Sequence, residues 1–237
     1  MTALCSAPYD GQMRLAASLV ALIMSAIVAL VTACGAGQSA SLPQGATLLT
    51  ESAQAMRGVT TTHFRFDVQG NAPSVQLRSA EGQLKQDGSA QGTGRVDEGR
   101  QTLELPFVLI GDTLCLRPPT GPPQKLPASM LKTYFDPGSI LNPDRGIAAV
   151  LASGQEATTE AREQVNGVDT YRVQTKFPAQ PLGALAPGLG ITPDQPSEVW
   201  IAAQGSRLVK AQLPTNYGTV AAQFSDYGAP VQITSFC

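Results

Sequence analysis

Histidine occurs once in these 237 residues, at position 63. It lies on the polar side of an alternating run, which reads as a surface position, and its isolation removes most Ser/His/Asp, Cys/His and multi-histidine metal schemes. No CxxC pair is present, and no glycine-rich stretch follows a strand and opens a helix, so zinc and phosphate-cradling readings fail as well. Basic excess is missing too: 16 Lys plus Arg face 18 Asp plus Glu, and a pI near 5.4 gives no footprint for nucleic acid. Charged residues make up only 14% of the chain, which argues against long solvated helices, while 23 Gly and 18 Pro favour short strands broken by turns. Aromatics are 5% of a chain that is 43% hydrophobic, so the interior must be built mainly from Ala, Val, Leu and Ile.

Two acid pairs are left as candidates for chemistry, Asp97 with Glu98 and Glu160 with Glu163. General acid–base work would need burial to raise one carboxyl of a pair. All four sit among polar neighbours in strands or turns, so they read as solvated charges, and neither an enzyme nor a cofactor or metal is expected.

What is present begins with an export segment. Arg14 precedes an uncharged apolar run from Leu15 to Ala33, a length that by itself would also suit a membrane span. The end of the run decides: Leu30-Val31-Thr32-Ala33-Cys34-Gly35 has an aliphatic residue three before the cysteine, a small one next to it and Gly after it. This is a lipobox, in which the Cys34 thiol accepts a diacylglyceryl group and cleavage leaves Cys34 as the acylated first residue. Long acyl chains such as palmitate, at about 0.8 kcal/mol per buried CH₂, then hold the protein to the outer side of the cell membrane. Residues 1–12 make a poor positively charged n-region, and Met13 is the expected start of translation.

With Cys5 lost in the signal and Cys34 acylated, Cys115 and Cys237 remain. In an oxidising, periplasm-like space the two could pair; otherwise Cys115 is a small buried strand residue and Cys237 a loose terminal thiol.

Residues 34–46 form the lipidated N-terminus and a flexible tether of small polar residues, Gly and Pro, and residues 47–237 form a single domain. Thr47 to Arg57 has apolar positions at Leu48, Leu49, Ala53 and Met56, predicting an amphipathic helix with Gly58 as its C-cap. Thr62 to Val68 alternates, with Phe64, Phe66 and Val68 on one face, and predicts a half-buried strand. Further strands are expected at 75–84, 92–96, 102–110 and 113–117, a pattern of successive short strands that suits an antiparallel meander. Helical spacing returns at 128–135 and 147–152, the second preceded by Asn142-Pro143-Asp144 as an N-cap, N1 proline and first-turn acid. Asn166-Gly167 between 158–165 and 168–177 is a strong hairpin signal. Leu182 to Leu189, apolar and punctuated by proline, predicts a short helix or flap, and strands close the chain at 198–203, 208–213, 219–225 and 231–236.

The segment Tyr134-Phe135-Asp136-Pro137-Gly138-Ser139-Ile140-Leu141-Asn142-Pro143-Asp144-Arg145-Gly146, with the helix from Ile147 to Leu151, resembles the mycobacterial lipoproteins of the LppX, LprA, LprF and LprG group. Asn166-Gly167, Val199-Trp200-Ile201, Ser225-Asp226-Tyr227-Gly228 and Pro230-Val231 are similar to further landmarks of that group in the same order, so that the likeness runs from about Thr47 to Thr234. Phe135 is an insertion relative to the group, Tyr227 stands where Trp is usual, and the end at Ser235-Phe236-Cys237 differs.

The resemblance implies an α+β fold: a U-shaped antiparallel β half-barrel, similar to the LolA and LolB carriers, with short helices on the concave face enclosing an apolar cavity. It further implies a cell-envelope lipoprotein that binds acyl lipids or glycolipids and carries or presents them between plasma membrane and outer envelope. Candidate ligands are a triacylated glycolipid, triacylglycerol or a phthiocerol-type lipid, and the candidate protein partner is an envelope lipid transporter. The cavity wall would draw on Phe66, Leu84, Val96, Phe107, Leu109, Val173 and Trp200 from strands, and on Ile140, Leu141, Ile147, Val150 and Leu151 from the covering helices. Leu182 to Leu189 would be a gate or membrane-touching lip. Two readings compete: a lipid-anchored interaction or scaffolding protein with a filled core, and, less well supported, an envelope acyl-chain hydrolase. The anchor is tested directly, since Cys34→Ser is expected to move the protein from the detergent to the aqueous phase on partitioning and to abolish the acyl mass increment on its N-terminal peptide.

Overall fold

The computed structural model describes residues 41–70, 77–99, 101–132, 136–185, 188 and 190–237. Cys34 and the apolar run before it, the Tyr134-Phe135 pair and Leu189 lie outside the described residues.

The first half of the chain gives strands β1 (Thr61–Gly70), where apolar and polar side chains alternate, β2 (Leu77–Lys85), β3 (Ala90–Glu98), β4 (Gln101–Ile110), β5 (Thr113–Leu116) and β6 (Gln124–Pro127). The later strands are β7 (Gln155–Val165), β8 (Val168–Lys176), β9 (Pro196–Ala202), β10 (Leu208–Thr215) and β11 (Gly218–Ser225). All join one sheet in the order β6-β5-β4-β3-β2-β1-β11-β10-β9-β8-β7, and every pairing in it is antiparallel. The first and last strands of the series meet at its centre, and β6 and β7 are left as edges. The sheet is therefore an open half-barrel, not a closed one.

Short helices lie against one face, called inner below. They are α1 (Gly45–Arg57), α2 (Ser129–Lys132), α3 (Pro137–Ile140), α4 (Ile147–Ala152) and α5 (Ala179–Leu185). Leu48, Leu49, Ser52, Ala53 and Met56 recur at helical spacing, and this buried stripe of α1 packs on α4, β7 and β9. Gly58 ends α1 at an ordinary φ of −87°, its N–H reaching the Met56 carbonyl. Asn166 (φ 51°) and Gly167 (φ 80°) make the tight turn between β7 and β8, with Val165 opposite Val168. Gly82 and Gly92 face each other across β2 and β3, where a Cβ on either would collide with the neighbouring strand's backbone.

Three expectations are corrected. Residues 231–236 form no strand: β11, which they follow, is flanked on both sides by β1 and β10, so no free edge is available there to pair with. The segment instead leaves β1, where Gly228 N–H donates to the Thr61 carbonyl (3.0 Å) and the Thr61 hydroxyl to the Ala229 carbonyl (2.8 Å), and ends at β5. There Cys237 is joined to Cys115 with Cα atoms 5.9 Å apart, and Arg117 lies 4.4 Å from the centre of the Phe236 ring. Asn142-Pro143-Asp144 does not start α4; its Asn142 Oδ1 accepts from the N–H groups of Asp144 and Arg145 in a turn, and Gly146 is the cap. The cap-and-proline pattern operates one step earlier, where Asp136 Oδ1 accepts from Gly138 N–H (3.1 Å) and Pro137 opens α3. Helix α2 is also shorter than the spacing over 128–135 suggests, and β6 and its pairing with β5 come from a stretch with no clear alternation.

Tyr227, the residue in place of the group's Trp, donates its hydroxyl to the Leu208 carbonyl, and Arg207 stacks 5.3 Å from its ring centre. Burial pushes the Tyr227 pKa well above the ordinary phenol range, so it remains a neutral donor at any physiological pH.

The Cys115–Cys237 link spans 122 residues of sequence and anchors a segment with no strand pairing of its own. Cys237→Ser is therefore expected to lower stability by about 2–5 kcal/mol in urea unfolding under oxidising conditions, and to leave wild type and variant alike once reductant is added.

Candidate functional site

Strand pairing brings the inner-face residues of distant segments into rows. Phe66 lies opposite both Ala80 and Ala222, Ala222 opposite Ala211, and Ala211 opposite Val199. One step along the strands, Phe64 faces Phe224 and Val220 faces Leu213. These side chains floor a cavity of about 120 Å³, roofed by Ile140 of α3, Ile147, Val150 and Leu151 of α4, and Leu182 and Leu185 of α5, with Phe177, Ile191 and Leu208 completing it. The lining surface is almost wholly apolar. A lining of this kind offers water almost no polar partners. Arg65 also borders it, but the guanidinium is engaged with Asp67 (3.2 Å) and Glu81 (3.5 Å).

Of the residues expected in the wall, Phe66, Ile140, Ile147, Val150 and Leu151 line this cavity. Leu84, Leu109, Leu141 and Val173 do not; each is buried in the solid part of the core, where neighbouring side chains fill the space. Phe107 packs against that same cluster, and Val96 lies half-buried between Leu77 and Leu103. Trp200 is corrected more sharply. Val199 lines the cavity, so strand alternation turns Trp200 to the outer face, where its indole N–H donates to Glu163 (2.5 Å) and Lys210 lies 4.2 Å from its ring. Its 5% exposure comes from outer-face neighbours, not from the interior of the half-barrel.

The outer face holds the charges. Arg172 binds Glu160 (3.1 Å), Glu163 (3.4 Å) and Glu198 (2.7 Å), and Arg95 binds Glu104 (2.7 Å). The hydrogen bond from Arg78, aided by Thr102, holds the Asp97 carboxyl below its ordinary range, and Arg162 does the same for Asp169. Carboxylates lowered in this way favour the folded state above about pH 4 and lose that contribution as pH falls further. The acid pairs picked out in the sequence thus include three carboxylates committed to arginines, and none borders the apolar cavity. His63 is also on this face, with Nε2 3.6 Å from Glu81 and Nδ1 3.5 Å from the Ser225 hydroxyl. A wider groove of about 640 Å³ runs between β1, β11 and the Asn166 turn, but polar, solvent-facing side chains line most of it. Among the described residues no three potential metal ligands cluster, and no helix is long and apolar enough to cross a membrane.

Sequence reading missed Phe64, Ala80, Val199, Ala211, Leu213, Val220, Ala222 and Phe224. Their alternation was visible, and Phe64 shares the face of Phe66; what was not visible was that β1 and β11 are partners, which places all of them under one roof.

The family model for the LppX_LprAFG lipoproteins matches residues 44–233. A lipoarabinomannan carrier protein LprG from Mycolicibacterium hassiacum is 32% identical over 240 residues, covering 94% of this chain and 98% of its own. The protein of the same name from Mycobacteroides abscessus is 33% identical over 218 residues, covering 90% and 95%. Among solved structures, LprF from Mycobacterium bovis superposes with a TM-score of 0.71 at 24% identity, covering 81% of this chain and 96% of its own. LppX from Mycobacterium tuberculosis gives 0.60 at 23% identity, covering 79% and 98%.

The two faces make separable predictions. Trp200→Ala is expected to cost about 3–5 kcal/mol in urea unfolding while leaving the titration of an apolar fluorophore into the folded protein unchanged. Val96→Trp should likewise leave that titration unchanged, because the side chain does not reach the cavity.

Proposed function

This chain belongs to the LppX_LprAFG lipoprotein family, and from that premise we propose that it is a lipid carrier of the cell envelope. Anchored through Cys34, it takes the acyl chains of a lipid or glycolipid into the inner-face cavity and carries or presents them between the plasma membrane and the outer envelope. The observation that carries this reading is the cavity itself: an apolar space left between sheet and helices, with the charged groups kept to the opposite face. An acyl chain exposed to water on leaving a bilayer costs about 25 cal/mol per Å² of apolar surface, and an apolar enclosure removes that cost without any bond being made or broken.

The relatives named lipoarabinomannan carriers support a glycolipid as the ligand class. A cavity lined by hydrocarbon gives no site for a sugar or phosphate, so the headgroup is held outside it or in solvent. The tether from Cys34 keeps the cavity within reach of the membrane, and Leu182 and Leu185 of α5, both in the lining, serve as the apolar gate. In the wild-type protein without its export segment, Leu42–Cys237 forming one compact unit, incubation with mycobacterial membrane lipids followed by native mass spectrometry and organic extraction is expected to yield bound acyl lipid. Leu185→Asp, which sets a carboxylate in the lining, should reduce the yield by about tenfold or more. A folded wild-type protein that retains no lipid would favour the scaffold reading.

A further inference from the structure

The covering helices lie on the inner face, and on the outer face of β11, β1, β2, β3 and β4 the strand register sets polar side chains in three rows. Ser225, His63, Gln83 and Gln91 make the first, Gln223, Arg65, Glu81 and Thr93 the second, and Asp67, Ser79, Arg95 and Glu104 the third. Four inter-strand spacings make this patch about 19 Å across. Both sides are walled. The tip of the β7–β8 hairpin overhangs β11, where Asn166 Nδ2 donates to Gln223 Oε1 (2.8 Å). At the other side Val108 lies opposite both Gln91 and Cys115, which puts Cys115, and the Cys237 bonded to it, on the outer face. Between these walls run two grooves of about 640 Å³ and 480 Å³ that share His63, each on the volume scale of a ligand site.

Three arginines line the patch, Arg65, Arg78 and Arg95, and three carboxylates, Asp67, Glu81 and Glu104. Each is already matched: Arg65 binds Asp67 and Glu81, Arg95 binds Glu104, and Arg78 binds Asp97 just beyond the lining. No excess of positive charge is left to attract a phosphate or a nucleic acid. What remains is a set of neutral hydrogen-bonding groups. Gln91 Nε2 donates to Gln83 Oε1 (2.8 Å), which leaves the Gln91 Oε1 acceptor near the Gln83 Nε2 donor, and the Asn166–Gln223 pair leaves Asn166 Oδ1 and Gln223 Nε2 in the same way. A sugar hydroxyl both donates and accepts, so neighbouring donor and acceptor groups of this kind suit it.

We infer that this walled outer face is a binding site for a neutral oligosaccharide, held along the rows by Asn166, Gln223, Gln83 and Gln91. The sheet separates it from the apolar cavity, so it goes beyond the carrier reading and does not depend on it. The recognised chemistry has two sources: the sugar portion of a carried glycolipid, reaching round the end of the sheet, and a separate envelope polysaccharide.

The test titrates lipid-free linear oligosaccharides of mannose, arabinose and glucose, in graded lengths, into the protein without its export segment, and follows backbone and side-chain amide signals by NMR. Saturable shifts are expected at Gln83, Gln91, Asn166 and Gln223 for at least one series. Affinity should rise with length until the patch is spanned, and should be the same at low and high salt. Gln91→Ala and Asn166→Gly should each weaken binding by about threefold or more, the scale of one lost hydrogen bond; glycine keeps the positive φ that the turn has at Asn166. Leu185→Asp, in the cavity, should leave the binding unchanged. Repeating the titration on protein loaded with a glycolipid bearing the same sugars separates the two sources: blocked binding assigns the site to the carried headgroup, and unchanged binding assigns it to a separate polysaccharide. The inference is overturned by the absence of saturable shifts in every series, by shifts confined to residues outside the patch, or by folded Gln91→Ala and Asn166→Gly variants with wild-type affinity. Tighter, salt-dependent binding of inositol hexakisphosphate also overturns it, since that is the behaviour of an anion site. Acyl-lipid loading measured on the same sample reports on the carrier reading by itself, so the failure of one is told apart from the failure of the other.

Discussion

One continuous antiparallel sheet has two faces and, here, helices enough to cover only part of one of them. That constraint organises the rest of the molecule. The inner face must be apolar because α1, α4 and α5 lie against it, and strand alternation then sends the charges to the other side, where Arg172, Arg78, Arg95 and Arg162 find carboxylates on neighbouring strands. Where the helices and large side chains meet the sheet closely, around Leu84, Leu109, Val173 and Phe177, the core is solid. Where the sheet presents alanine beneath short helices, space is left.

The covering helices are mostly short. Apart from α1, each has four to seven residues, too short to be stable without tertiary contacts. Helix α3 is held by the Asp136 cap and by the bond from Asp136 N–H to the Leu185 carbonyl, which ties it to α5. A roof assembled from such pieces can shift at lower cost than one built from long helices, while the sheet beneath keeps its hydrogen-bonded register. The C-terminal segment adds a constraint on the opposite half, running from β1 to β5 and ending in the bond to Cys115.

Much of the architecture was legible locally. Phe64-Arg65-Phe66-Asp67-Val68 alternates with no help from its partners, the α1 stripe repeats at helical spacing, and Asn166-Gly167 specifies its turn through backbone angles that few other residue pairs adopt. Errors arose where neighbours decide. Residues 231–236 have strand-like composition but no edge to join, β6 lacks alternation yet completes the ladder beside β5, and Asn142 makes a turn where a helix cap was expected.

Trp200 shows the limit most clearly. Its burial was foreseeable from its size, but the side of the sheet it takes depends on which of Val199 and Trp200 points under α4, a question of β9 and β10 register. The same holds for Ala211 and Ala222, unremarkable in the chain and adjacent only because β10 pairs with β11. The sequence by itself determined the strand-rich class and the scarcity of histidine and of metal-ligand motifs, and it supplied the expectation that Cys34 is a lipid acceptor, since these depend on residue type and local spacing. Only the tertiary structure decided which apolar residues surround empty space and which fill it, because a cavity is a property of the gaps between segments far apart in the chain.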